Sequence, residues 1–309
     1  MLQMQGARFS RNEAYLAYVA VTRKLKQRSR WGIFSGIRSE KGGNMWTFGW
    51  WTTGRDQAAI DLFETVYNAI NNGIIPGEIS YVFSSREPGE SEFSDRLAEM
   101  AAGHGIPVVS LSAVRFRPDI RKQDRDAWRQ TYHKEVLINK VKGFPAQVVV
   151  LAGYMWVVSP EVCRKLSIIN LHPAAPGGPA GTWQEVIWQL LDQKAGKTGV
   201  MMHLVTPELD KGPAVTYCSF SIQGDAWDPL WDQFEHELQR SSIEEIRESF
   251  GESQPLFAKI RNEGVKRELP LIVQTIRSLA AGEISIKDSQ LYNRTGNKLA
   301  GPYDLTDAI

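Results

Sequence analysis

Over residues 46–222 the chain alternates short apolar runs with segments whose apolar residues recur at the spacing of one helix face, and this alternation restricts the fold more than any other property of the sequence. Phe48-Gly49-Trp50-Trp51 reads as a first strand, and Thr52-Thr53-Gly54-Arg55 as the turn into a helix over 56–71 that carries Ala59, Leu62, Phe63, Val66 and Ile70 on one face. The pattern continues with a strand over 79–83, a helix over 93–102 stopped by Gly103, a strand over 107–111 and a helix over 126–141. Val148-Val149-Val150-Leu151 is apolar at every position, as expected of a strand buried on both faces at the centre of a parallel sheet. Repetition of strand and helix in this order predicts an α/β fold, doubly wound around a mostly parallel, Rossmann-like sheet.

The next apolar run, Leu166-Ser167-Ile168-Ile169, leads directly into Asn170-Leu171-His172-Pro173. Residues at i and i+2 of a strand share a face, so Asn170 and His172 should emerge side by side at the carboxyl end, where open parallel sheets place their ligands. A Pro- and Gly-rich loop over 173–181 follows, then a helix over 183–193 and strands over 200–205 and 214–222. Between those strands lies Glu208-Leu209-Asp210-Lys211-Gly212-Pro213, which puts a carboxylate on a connection able to lean over the strand ends. Amide, imidazole and carboxylate together suit transfer of a formyl group to an amine. Negative charge builds on the carbonyl oxygen and calls for donors, here Asn170 and His172. Positive charge builds on the nitrogen and calls for a proton acceptor, here Asp210, which can also hold an imidazole in its donating form.

Composition excludes several alternatives. A hydrophobic fraction of 42% in 309 residues is enough for a full core, and a net charge of +1 gives no field that would favour nucleic acid. Two cysteines, Cys163 and Cys218, are too few for a disulfide framework or a metal site, so no metal is expected and a reducing cytoplasm is. No apolar run has the length of a membrane span, and nothing near the start has the hydrophobic core expected of a secretory signal. The segment over 8–38 is rich in Arg and Lys, a composition shared by transit peptides and nucleic-acid-binding arms. Because Met45 stands directly before the first strand, residues 1–44 are read as a basic extension dispensable to a catalytic domain over 45–222. Residues 223–309 are read as a mainly helical C-terminal extension, with helices over 227–250, 254–261 and 266–279 and an irregular end from Ser285.

At Val148-Val149-Val150-Leu151-Ala152-Gly153-Tyr154-Met155, Ile169-Asn170-Leu171-His172-Pro173, Thr198-Gly199, His203-Leu204-Val205-Thr206 and Glu208-Leu209-Asp210-Lys211-Gly212-Pro213 the chain resembles the folate-dependent formyltransferases, and within them the branch acting on glycinamide ribonucleotide in purine synthesis. The resemblance implies 10-formyltetrahydrofolate as co-substrate, a small-molecule amine as acceptor, and catalytic roles for Asn170, His172 and Asp210. It implies a pterin slot involving Tyr154, Met155, Val157, Val158, His203, Val205, Thr206, Glu208 and Leu209, with His203 behind the reacting groups. A homodimer is one assembly it leaves open.

The sequence departs from the family where an acceptor phosphate should bind. In place of a Ser-Gly-x-Gly-Ser-Asn turn it has Thr52-Thr53-Gly54-Arg55-Asp56-Gln57, so Thr52, Thr53, Gly54 and Arg55 become the candidates there. Trp156 replaces an arginine usual to the family, and a late Glu-His pair is absent, with Lys266 or Arg267 available to compensate. These departures keep two alternatives open: an acceptor such as an aminosugar nucleotide, or hydrolysis of formyltetrahydrofolate with water in place of the amine. A chain starting at Met45 is expected to fold and turn over like the full one. A large fall in melting temperature on this truncation would show that the basic segment packs on the body.

Overall fold

The computed structural model describes residues 45–208 and 210–309; the readings made for 1–44 and for Leu209 lie outside the described residues. In chain order, β1 (Thr47–Thr52) leads to α1 (Gln57–Asn71), β2 (Glu78–Ser84), α2 (Glu92–Gly103) and β3 (Val108–Ser110). Helices α3 (Pro118–Gln123) and α4 (Arg125–Glu135) precede β4 (Val148–Leu151), α5 (Pro160–Lys165), β5 (Ile168–His172) and α6 (Trp183–Asp192). Then come β6 (Lys197–Leu204), β7 (Ala214–Ser221), α7 (Asp228–Leu238), α8 (Ile243–Phe250), α9 (Pro255–Ala280), the hairpin of β8 (Ile284–Lys287) with β9 (Gln290–Asn293), and β10 (Tyr303–Asp304). Eight strands make one sheet in the order β10-β7-β6-β5-β4-β1-β2-β3. Strands β3, β2, β1, β4 and β5 run parallel, whereas β6 is antiparallel to both β5 and β7.

Alternation along β4 divides the core. Val148 and Val150 join Trp50, Phe63, Val200 and Met202 on the face covered by α1 and α9. Val149 and Leu151 turn the other way and join Trp51, Trp128 and Tyr132 beneath α4 and α5. A third cluster, built from α6 through α9 around Trp188, Phe234 and Phe257, packs beside the sheet. Two glycines are required by the chain path. Gly54 has φ +55 and its Cβ would lie 2.7 Å from the Ser94 Cα of α2, so only glycine lets β1 turn into α1 against that helix. Gly212 crosses so close to the Leu204 carbonyl that a Cβ would stand 1.6 Å from its oxygen.

Several elements differ from the sequence reading. The helix expected over 126–141 is α-helical only to Glu135 and continues as a five-residue π turn, Val136–Lys140. The helix expected over 227–250 is two helices, because Ser242 and Glu245 form a capping box that starts α8 anew. The two helices expected over 254–261 and 266–279 are one, and α9 runs through Gly264 and Pro270. Burial of Leu271, Ile272, Val273 and Ile276 against the sheet outweighs the local penalty of those residues. The end expected to be irregular supplies β10, whose Tyr303 and Asp304 pair with Thr216 and Tyr217 of β7. The C-terminal third is thus helical as read, and it shares the core of the sheet. No helix among the described residues is long and apolar enough to cross a membrane.

One buried histidine ties α4 to the strand ends. His133 is fully buried, its Nδ1–H donates to the Arg129 carbonyl at 2.9 Å, and its Nε2 accepts from the Tyr154 hydroxyl at 3.0 Å. Loss of hydration drives its pKa down to about 4, opposed by the bond to the Arg129 carbonyl and assisted by the Arg129 guanidinium. An unfolded chain takes up this proton near 6.5 and the folded chain near 4, so the contribution of His133 is complete above pH 6.5 and is lost as pH falls toward 4. About 3 kcal/mol of stability is expected to go over that window. Urea unfolding across it should show His133→Gln shallower in its pH dependence by about one proton; an unchanged dependence would contradict a neutral, buried imidazole.

Candidate active site

The sheet changes direction at β5, and the chemistry gathers there. Antiparallel pairing sets Asn170 opposite His203 and His172 opposite Met201, so Asn170, His172 and His203 lie on one face. His203 Nδ1–H donates to the Leu204 carbonyl at 3.0 Å, which leaves Nε2 as an acceptor, 3.5 Å from Asn170 Nδ2. His172 lies edge-on to His203 with ring centroids 6.0 Å apart, and its Nε2–H donates to the Pro179 carbonyl at 3.1 Å. Both tautomers follow from the partners, since a carbonyl can only accept.

Asp210 enters from the connection between β6 and β7. Thr206 Oγ1 donates to the Glu208 carbonyl at 3.0 Å, and Asp210 itself adopts φ +54, a left-handed conformation tolerated by aspartate. Its Oδ1 stands 3.8 Å from His203 Nε2. His203 is 2% exposed and the Asp210 side chain 22%, so the imidazole is sealed while the carboxylate remains reachable. Burial lowers the His203 pKa, the Leu204 carbonyl and Asp210 oppose that shift, and His172 adds to it; the ring is neutral at neutral pH. Asp210 opens on a cleft of about 550 Å³ between α6 and α8, bounded by Gly181, Trp188, Gln189 and Arg247.

The sequence-level candidates separate once placed. The structure brings Asn170, His172 and Asp210 together, and makes His203 the contact between the amide and the carboxylate. The imidazole beside Asp210 is His203; His172 is held by the 173–181 loop instead. In the segment after β4, Met155 and Val157 are exposed, whereas Tyr154 and Val158 are core. The Tyr154 hydroxyl is spent on His133. Val205 donates its N–H to the Ile168 carbonyl at 2.8 Å, and Thr206 and Glu208 lie on the connection that follows β6.

The turn after β1 is closed on itself. Thr52 Oγ1 accepts the Gly54 N–H at 3.0 Å, and Thr53 Oγ1 accepts both the Met155 N–H and the Ser85 hydroxyl at 2.9 Å. Arg55 points outward beside Asp56. Lys266 and Arg267 are both paired with Glu263, and the Arg267 guanidinium lies 4.2 Å from the Phe220 ring on β7. Four strand spacings separate β7 from β1, roughly 19 Å, so these cations do not join the turn. Sequence reasoning passed over Arg86, whose Nη1 donates to the Gly54 carbonyl at 3.3 Å; its place directly after a strand's carboxyl end was the available signal. Among the described residues no group of His, Cys, Asp or Glu could hold a metal ion.

The profile of the formyl transferase family matches residues 58–229, and the chain belongs to that family. It is 32% identical over 161 residues to the phosphoribosylglycinamide formyltransferase of Schizosaccharomyces pombe, covering 49% of this chain and 73% of that protein. To the Escherichia coli enzyme of the same name it is 26% identical over 170 residues, 54% of this chain and 71% of that one. Its fold is similar to the phosphoribosylglycinamide formyltransferase structure from Coxiella burnetii, with TM-score 0.55 and 18% identity over 84% of this chain and 99% of that one. A formyltetrahydrofolate deformylase from Pseudomonas syringae shares the fold at TM-score 0.50 and 18% identity, over 82% of this chain and 66% of that one.

The closed turn yields a direct expectation. Thr53→Val removes the acceptor of the Met155 N–H and should lower unfolding free energy by about 1 kcal/mol, read by urea melts, because a partly buried donor is left unpaired. Unchanged stability would mean that the Thr53 hydroxyl does not hold the two segments together.

Proposed function

We propose that this chain transfers the formyl group of 10-formyltetrahydrofolate to a primary amine, with the amine of glycinamide ribonucleotide as acceptor, and that it works in the cytoplasm. The observation that carries this reading is the convergence of Asn170, His172, His203 and Asp210 on one face of β5 and β6, in a chain of the formyl transferase family. Exposed Met155 and Val157 on one side, and the backbone over 205–208 on the other, fit a flat heteroaromatic ring. The co-substrate supplies a carbonyl carbon at the amide level of reactivity, attached to a nitrogen that can leave.

The chain's residues then divide the charge that attack creates. Asn170 Nδ2–H and His172 Nε2–H donate to the carbonyl oxygen as it becomes negative. His172 exchanges the Pro179 carbonyl for that oxygen, because a charged acceptor forms the stronger bond. Asp210 takes the proton that the attacking amine must lose, directly or through one water. His203, locked by the Leu204 carbonyl and neutral, keeps the Asn170 amide oriented and leaves the solvent-accessible Asp210 carboxylate to act as the proton acceptor. Glycinamide ribonucleotide is favoured over an aminosugar nucleotide because both curated relatives named above carry it in their names.

Asp210→Asn should lower turnover by about 10²- to 10⁴-fold while leaving the dissociation constant of a stable folate analogue nearly unchanged. His172→Ala and Asn170→Ala should each raise the barrier by about 2.7–4 kcal/mol at saturating substrate. An Asp210→Asn enzyme keeping more than half of the normal rate would sink the assignment. Formate release at the full rate without any amine would instead identify a hydrolase.

A further inference from the structure

A second cavity, of about 510 Å³, lies toward the amino ends of β4 and β5, whereas Asn170 and His172 stand at the carboxyl end of β5. Val149 of β4 and Tyr81 of β2 line it, together with Phe144, Ala146 and Leu166 from the segments that enter β4 and β5. The rest of its apolar lining comes from Leu137 and Ile138 of the π turn and from Val141, whose N–H closes that turn on the Val136 carbonyl at 3.0 Å. Turns of this kind are rare and recur at functional sites. Ile138 is 43% exposed, so part of this apolar lining stands open to solvent. The volume is that of a small-molecule pocket.

Only three lining residues are polar, Tyr81, Lys142 and Lys165, and none is an acid. Lys142 makes no ion pair among the described residues. Lys165 pairs with Glu161 at 2.6 Å on the surface. One carboxylate against two ammonium groups leaves an excess of one positive charge, which matches a monoanion better than a dianion. The Tyr81 hydroxyl sits over β1, where a Cβ on Gly49 would stand 2.5 Å from it, and Gly49 is the register partner of Val149. That hydroxyl accepts the Trp51 Nε1–H at 2.9 Å and donates to no group among the described residues. Burial pushes its pKa up to about 12 against the opposing bond from Trp51, so the phenol keeps its proton and remains a donor. The Phe144 ring lies 5.3 Å from the Tyr81 ring and adds an aromatic wall. Apolar walls with donors and no acidic side chain suit a ligand with an apolar body and an anionic head.

We propose that this cavity is a binding site for a small aromatic monocarboxylate, with the ring in the apolar lining and the carboxylate paired with Lys142. Lys165 adds to the attraction, and Tyr81 supplies the neutral donor. The site does not rest on the formyl-transfer reading. Because it lies away from Asn170, His172 and Asp210, its occupant and the substrates bind at the same time.

The test is calorimetric titration of the full chain with 4-phenylbutyrate. One site is expected, with the neutral 4-phenylbutanamide bound about tenfold more weakly. Lys142→Glu should weaken 4-phenylbutyrate by about tenfold and leave the amide unchanged, whereas Ala146→Leu, which fills the cavity, should weaken both. A saturating folate analogue should leave the affinity for 4-phenylbutyrate unchanged. Circular dichroism checks that Ala146→Leu is folded; if it is not, the exposed Lys142→Glu decides alone. No binding to the parent chain, acid and amide bound alike, or unchanged affinity in Lys142→Glu overturns the proposal. Displacement of 4-phenylbutyrate by the folate analogue would put the ligand in the active site and overturns it as well.

Discussion

The reversal of strand direction at β5 is the constraint on which the rest depends. A parallel neighbour needs a crossover, and in the β1 to β5 half those crossovers lay α4 and α5 over the face that carries Val149 and Leu151. Beyond β5 the sheet continues antiparallel through β6 and β7, and the intervening α6 packs with α7, α8 and α9 in a cluster of its own. The face that was apolar under α4 and α5 carries Asn170, His172 and His203 once that cover ends. The site is the boundary between two ways of joining strands.

Polar groups at such a boundary survive only if each is paired, and the pairings here also set their chemical form. The Leu204 carbonyl fixes one nitrogen of His203 as donor, so the other must accept, and burial keeps the ring neutral. The Pro179 carbonyl does the same for His172 from the opposite side. Both imidazoles are buried, whereas the Asp210 side chain keeps access to water at 22% exposure. The tautomers of both rings thus follow from where the backbone carbonyls stand.

The approach of Gly212 to the Leu204 carbonyl, closer than any side chain would permit, swings the β6 to β7 connection across the strand end and delivers Asp210 beside His203. Gly54 performs the matching task on the other flank, packing the turn against α2 while Thr52 takes its N–H and Thr53 ties the turn to Met155.

Period and spacing alone determined a good deal of this. Apolar runs located β1, β2 and β4 to within a residue, and the period of two put Asn170 and His172 on a shared face. Those properties are local: they depend on residues within one or two turns or strand repeats of each other. What the chain does over longer separations was decided by packing. The 33-residue separation between Asn170 and His203 and the pairing of β10 with β7 leave no periodic trace. Nor does local propensity foresee that α9 runs unbroken through Pro270, because the burial that compensates comes from the sheet. The Thr53 hydroxyl reads as free because the groups that donate to its oxygen, the Met155 N–H and the Ser85 hydroxyl, are distant in sequence and adjacent only in the fold. Hydrogen-bond capacity is shared among spatial neighbours, so which polar groups remain free for a ligand is settled only when the tertiary structure has chosen those neighbours.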